Sequence, residues 1–169
     1  MIRLLCPCLQ VNSLSEIEAD KLQEIGIKGI IFDLDNTIIP WNSLTIQPEI
    51  ITWLKDLQSK GFCICLVSNN LGQRVGDIAA ILNIPFVSRA YKPAKTGFRQ
   101  AVAALGLTKS EVAVVGDQLF TDILGGNRLG LFTIWVQPLS SQEFFGTKLT
   151  RKLENITVRL LRAKGLLKS

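Results

Sequence analysis

Residues 28–40 read KGIIFDLDNTIIP. Gly29 to Phe32 is an apolar, β-branched run of the kind that a strand buried on both faces requires. It ends abruptly in two carboxylates, Asp33 and Asp35, followed by Asn36 and Thr37. In an open parallel sheet, the carboxyl ends of the strands border the crevice where ligands bind. Two aspartates one residue apart point the same way if the strand continues, or fan around one point if the chain turns. Either arrangement holds two negative charges close together, which is unfavourable unless a cation sits between them or one is protonated. A hard metal ion answers that need. The same residues also suit an Asx-turn and a helix cap, so the rest of the chain has to decide.

Working outward, Ser13 to Glu24 carries Leu14, Ile17 and Leu22 among acids and polar groups, which predicts a short helix closed near Gly26. On the other side, Gln47 to Ser59 places Ile50, Ile51, Trp53, Leu54 and Leu57 at helical spacing, with Pro48 early and Gly61 just past the end, as helices start and stop. Phe62 to Val67 is a second buried strand, and it terminates in Ser68, Asn69 and Asn70. A helix over Leu71 to Leu82 and a short strand over Ile84 to Val87 follow. Tyr91-Lys92-Pro93 is a loop, because a residue before proline avoids the helical region. Thr96 to Leu105 is a helix ending at Gly106. Val112 to Val115 is a strand running into Gly116-Asp117-Gln118. Thr121 or Asp122 then caps a helix to about Leu129, and Leu131 to Val136 is the last strand. Unalternating apolar strands separated by helices predict a three-layer α/β fold of Rossmann type around a mainly parallel sheet. One helix fits between Asp33 and Ser68, and only sheet-layer elements lie between Ser68 and Asp117, so no sizeable cap domain is expected.

Composition narrows the chemistry. The 169 residues, 47% hydrophobic and 20% charged, are those of one globular domain. No apolar run has the length to cross a bilayer, and MIRLLCPCLQV lacks the long apolar region and cleavage site of a secretory signal. With no histidine, a serine or cysteine triad lacks its imidazole base. The four cysteines, Cys6, Cys8, Cys63 and Cys65, are not spaced as a usual zinc finger, and the latter two fall in a strand pattern where cysteine acts as a small hydrophobe.

Three strands thus end in polar sets: Asp33 and Asp35, then Ser68 and Asn69, then Asp117 with Asp122 nearby, while Lys92 lies in a loop between the second and third. Strand ends of one polarity share one edge of a parallel sheet, so these groups converge, which a helix-cap reading does not explain. Carboxylates, a hydroxyl and an ammonium around a metal suit a phosphoryl group. Its negative charge must be neutralised by Mg²⁺ and a lysine before an anionic nucleophile approaches, after which an aspartate attacks phosphorus to form an aspartyl-phosphate.

FDLDNT, LVSNN, KP and GDQLFTD resemble, in order, the four motifs of the haloacid dehalogenase (HAD) superfamily, subfamily IIIA, whose phosphatases use an aspartate nucleophile. LLCPCLQVNSLSEI, FDLDNTIIPW, YKPAKTGF and the basic C-terminal segment further resemble the YqeG-type branch, which includes phosphatidylglycerophosphate phosphatases. The resemblance implies Asp33 as nucleophile and metal ligand. Asp35 would protonate the leaving oxygen, activate the hydrolytic water and lend its backbone carbonyl to Mg²⁺. Ser68 and the Asn69 amide would hydrogen-bond the phosphoryl oxygens, and Lys92, in preference to Lys95, would hold the phosphate and the nucleophile. Asp117 would complete the metal site, and Asp122 would bind metal through water or orient Lys92.

Net charge is +5, but the stretch 147–169 holds seven cations (Lys148, Arg151, Lys152, Arg159, Arg162, Lys164, Lys168) against one acid, Glu154. The basic character therefore belongs to the tail of the single domain (1–169), a basic amphipathic helix over 147–169. Leu149, Leu153, Ile156 and Leu160 form one helical stripe among those cations. Such a stripe suits an anionic membrane surface, or it packs on the sheet with its cations solvated. Nucleic acid is disfavoured, because no aromatic residues interleave the charges. The expected function is Mg²⁺-dependent hydrolysis of a phosphorylated substrate, foremost the lipid phosphate phosphatidylglycerophosphate, by a cytoplasmic protein that is peripheral on a membrane if the tail binds one. The alternatives are a phosphatase of soluble small molecules and a phospho-accepting signalling module.

Overall fold

The computed structural model describes residues 2–41, 43–140 and 145–167, the side chains of 145–152 excepted. Six strands, β1 (Leu9–Val11), β2 (Gly29–Asp33), β3 (Cys63–Val67), β4 (Phe86–Val87), β5 (Val112–Gly116) and β6 (Phe132–Val136), form one sheet in the order β1-β6-β5-β2-β3-β4. Every neighbouring pair is parallel, so the mainly parallel sheet expected is wholly parallel among the described residues. The helices are α1 (Ala19–Glu24), α2 (Pro48–Ser59), α3 (Gly72–Leu82), α4 (Lys95–Leu105), α5 (Leu124–Leu129) and α6 (Phe145–Ala163).

Side chains of a strand alternate between faces, and β2 fills both. Ile30 and Phe32 join Ile64, Leu66, Ala113 and Val115 in a core with Leu22, Leu54, Leu57, Val75 and Ile78 from α1, α2 and α3. Ile31 joins Cys65, Val67 and Val114 on the other face, with Phe98, Ala101 and Leu129 from α4 and α5. Two covered faces explain the unalternating apolar runs. From β2 the chain winds through β3 to β4, then crosses back to β5 on the other side of β2. That reversal places a crevice at the carboxyl ends of β2 and β5. Register aligns what lies there: Asp33 is opposite Val67, so Ser68 is one step beyond, and Phe32 is opposite Val115, so Asp33 is level with Gly116. Among the described residues no cap domain interrupts the chain between β2 and α2 or between β3 and β5.

Three expectations are modified. The predicted helix over Ser13 to Glu24 divides into a 3₁₀ turn (Leu14–Glu16) and α1, although Leu14, Ile17 and Leu22 are all buried as their spacing implied. Strand β1 had no signal, because three residues of an edge strand, of which only Val11 is buried, carry no periodicity to read. Finally, Asp122 caps no helix: it lies inside a π-helical turn, Leu119–Ile123, that leads into α5.

Helix α6 begins at Phe145 and ends at Ala163, short of the basic segment's end. It is anchored by Glu154, Val158 and Leu161, all buried, with Val158 against Leu119, Ile123 and Trp135. Glu154 Oε1 accepts a hydrogen bond from the Phe120 backbone N–H at 3.3 Å. The predicted stripe points elsewhere: Leu153, Ile156 and Leu160 are 53%, 55% and 50% exposed. Its remaining member, Leu149, and the neighbouring cations Lys148, Arg151 and Lys152 lie outside the described side chains, as Lys168 lies outside the described residues.

Candidate active site

Beyond β2 the chain turns instead of continuing. Asn36 adopts a left-handed conformation (φ 60°), which asparagine tolerates better than most residues, and its N–H donates to the Ile39 carbonyl at 2.7 Å. The Asn36 side-chain oxygen accepts from the Trp41 N–H (3.1 Å) and the Ser140 hydroxyl (2.9 Å), tying this turn to the segment after β6. The two aspartates consequently fan apart. Asp33 is buried within the crevice, and Asp35 stands nearer its mouth, its side chain 14% exposed.

Asp33, Asp117 and Asp122 each bring a carboxylate oxygen within 4.8 Å of the others, and all three are buried. Strand ends supply the first two, and the π-helical turn folds Asp122 back to them. That return requires Gly116, since a Cβ there would lie 2.4 Å from Asp122 Cγ. Asp122 Oδ2 accepts from the Gln118 N–H at 3.2 Å, which fixes the turn. The Asp117 carbonyl accepts from Trp135 Nε1 at 2.9 Å.

Among the described residues one buried cation faces the cluster. Lys92 Nζ donates to Asp33 Oδ1, to Asp122 Oδ1 at 2.7 Å and to the Val67 carbonyl at 3.3 Å, which engages its three donors. Of the two lysines in YKPAK, Lys92 is therefore the one whose ammonium reaches the carboxylates. Its backbone is gripped by the Asn69 amide, whose Oδ1 accepts from the Lys92 N–H (2.7 Å) while Nδ2 donates to the Lys92 carbonyl (3.2 Å). Asn69, expected beside a phosphoryl oxygen, thus sits where it positions Lys92. The Ser68 hydroxyl is buried and accepts from the Asn70 N–H at 3.1 Å, so its own hydrogen can serve another acceptor.

Charge in this pocket is poorly balanced. Burial pushes the Asp33 carboxyl up, to about 7; Lys92 opposes the rise, and Asp122 and Asp35 add to it. Burial works against the Lys92 charge, but the carboxylates of Asp122 and Asp33 outweigh it and raise the Lys92 pKa. Three buried carboxylates against one ammonium favour a divalent cation, so the residues fit the metal that their spacing suggested.

Two residues without a signal of their own complete the site. Asn70 Nδ2 donates to Asp35 Oδ2 at 2.5 Å, and Arg74 Nη2 lies 2.7 Å from Asp35 Oδ1. Asn70 stood inside a quoted motif without a role. Arg74 was visible only as the sole cation in the first turns of the helix that follows, because its contact depends on where α3 lands against the turn after β2.

Known proteins bear on this geometry. A family model for haloacid dehalogenase-like hydrolases matches residues 39–130. The chain is 40% identical over 155 residues to "Probable phosphatase YqeG" of Bacillus subtilis, covering 92% of this chain and 90% of that protein. It is 32% identical over 165 residues to "Phosphatidylglycerophosphate phosphatase 1, chloroplastic" of Chlamydomonas reinhardtii, covering 92% of this chain but 61% of that longer one. Among solved structures, an uncharacterized protein of Listeria monocytogenes superposes with a TM-score of 0.57 at 20% identity, over 70% of this chain and 85% of that one.

Proposed function

The chain belongs to the haloacid dehalogenase-like hydrolases, and from that premise we propose that it is a Mg²⁺-dependent phosphatase converting phosphatidylglycerophosphate to phosphatidylglycerol through an aspartyl-phosphate. The observation that carries the reading is the meeting of Asp33, Asp117 and Asp122 in one buried cluster with the Lys92 ammonium on Asp33. Asp33, Asp117 and Asp122 would hold the metal, with the Asp35 carbonyl beside them; the bound ion would neutralise phosphoryl charge.

Two displacements follow. Asp33 attacks phosphorus while the ester P–O bond breaks, and the leaving oxygen takes its electron pair together with a proton from Asp35. Water then attacks the phosphoryl group and gives a proton back to Asp35, and the acyl-phosphate P–O bond breaks to restore the Asp33 carboxylate. Ser68 donates its hydroxyl hydrogen to a phosphoryl oxygen. Lys92 holds the nucleophile and balances the charge that phosphate brings, and Asp122 and Asn69 keep it in place.

The lipid substrate rests on three supports. Among the described residues no cap domain lies over the crevice, so a headgroup anchored in a bilayer can enter. The exposed Leu153, Ile156 and Leu160 of α6, with Arg159, Arg162 and Lys164 exposed around them, suit an anionic membrane. The chain is also similar to a protein named for this lipid.

Two variants test the catalytic assignment. Asp33→Asn should lower turnover of a phosphomonoester by about three orders of magnitude or more while phosphate still binds. Asp35→Asn, given labelled ester whose leaving group needs no proton, should retain label on the protein as an alkali-labile adduct at Asp33. Near-normal turnover by Asp33→Asn rules out the nucleophile. Release of phosphate from phosphatidylglycerophosphate no faster than from sugar phosphates and nucleotides rules out the lipid assignment.

A further inference from the structure

We infer that Arg74 is a specificity-determining residue that recognises a second anionic group, a phosphodiester, on the alcohol that leaves. The inference rests on the reading of Asp35 as the acid at the leaving oxygen. Among the described residues, two cations of the crevice are divided between the two aspartates at the carboxyl end of β2, Asp33 and Asp35. Lys92 sits on Asp33, where the transferred phosphoryl group binds, and Arg74 sits on Asp35, where the ester oxygen departs. Whatever is attached to that oxygen therefore extends toward Arg74.

The guanidinium is held ready for an anion. Its Nε donates to the Ser43 carbonyl at 3.0 Å, which anchors the side chain between α3 and the loop after β2. Its Nη2 meets Asp35 Oδ1 at 2.7 Å, but neither atom of that pair makes an aligned hydrogen bond. The contact is an ion pair whose donors are not directed along it. A guanidinium has five N–H donors in a planar fork matched to the paired oxygens of phosphate. With Nε bonded to Ser43 and Nη2 buried against Asp35, Nη1 is the end of the fork left for a ligand, and the side chain is 20% exposed, so a substrate anion can reach it. A neutral alcohol offers Arg74 nothing comparable.

A soluble, acyl-free pair of esters isolates this contact from any membrane effect. Deacylated phosphatidylglycerophosphate has a leaving group that carries a phosphodiester, whereas glycerol 3-phosphate releases neutral glycerol. With the magnesium-loaded full chain, kcat/KM should be about tenfold or more higher for the diester-bearing ester, the effect of one charge-assisted hydrogen-bonded contact. The ratio should shrink as salt is raised. Arg74→Gln should lower both rates, because Asp35 loses a partner, but should bring the ratio to about one; Arg74→Lys, which keeps the charge without the fork, should retain part of it. 3-Phosphoglycerate, whose leaving group carries a carboxylate, should show a smaller preference than the diester. Equal wild-type rates on the two principal esters overturn the inference while leaving the phosphatase reading intact. So does an Arg74→Gln variant that loses activity in equal proportion on both, since that is the mark of a residue that only positions Asp35. A stronger preference for 3-phosphoglycerate than for the diester overturns the phosphodiester assignment. Phosphate released from none of these esters removes the phosphatase reading, and this inference with it.

Discussion

In the proposed mechanism Asp33 combines two conflicting demands, since a nucleophile must be charged and a buried carboxyl resists charge. The conflict sets a pH dependence. A carboxyl raised from 3.8 to about 7 in the folded chain binds its proton more tightly there than in the unfolded chain. The metal-free fold therefore loses stability as pH rises from about 4 to about 7. Mg²⁺ requires the carboxylate, so its affinity should rise over the same window and level off above about 7. Melting temperatures measured with and without Mg²⁺ should diverge as pH increases, and a constant gap between the curves would contradict this account. The same residue scale shows what the sequence disclosed. Asp33, Ser68 and Asp117 were legible because each directly follows or ends an apolar run, and a parallel sheet sends such ends to one edge. Lys92 was legible only as part of a loop motif. Asn70 and Arg74 are without roles in the sequence reading, because their partner Asp35 lies within a turn whose direction depends on Asn36 and its contacts to the segment after β6.

The elements were easier to read wherever burial imposed a period. Helices α2 and α4 and strands β2, β3 and β5 lie where their apolar spacing put them, while β1, with a single buried residue, could not announce itself. The π-helical turn was hidden for a different reason: what dictates it is the packing of Asp122 beside Gly116, a contact between the end of β5 and the turn after it that leaves no periodic trace. Close approach also governs the seam between α4 and α5. A Cβ on Gly125 would lie 2.4 Å from Phe98 Cε2, and Phe98 is fully buried, so its ring cannot yield easily. Gly125→Ala should therefore destabilise the fold by about 1–3 kcal/mol, lowering Tm by roughly 3–10 °C. Adding Phe98→Leu should recover part of that loss, because the two changes share one contact. A double variant no more stable than the sum of the single effects would place the strain elsewhere.

At the scale of the whole molecule, the sheet collects an acidic edge from distant segments, and α6 adds a surface of different character. That helix separates its two apolar sets. Val158 and Leu161 bind it to the domain, while Leu153, Ile156 and Leu160 face outward. No helix among the described residues is long and apolar enough to cross a membrane, so contact with lipid through α6 would be interfacial. Insertion of the outward set should contribute up to about 2 kcal/mol per side chain, and each nearby cation about 1 kcal/mol. Replacing Ile156 and Leu160 by glutamate leaves the buried anchor untouched, so the helix should stay docked. Partition onto phosphatidylglycerol-containing vesicles, measured by co-sedimentation, should fall by at least about tenfold. Raising the salt should weaken wild-type binding, through screening of Arg159, Arg162 and Lys164. Hydrolysis of vesicle-borne lipid should fall with partition, and far more than hydrolysis of a soluble ester. If the double variant sediments with vesicles as well as the wild type does, the outward face of α6 does not meet the membrane, and the lipid must reach the crevice by another approach.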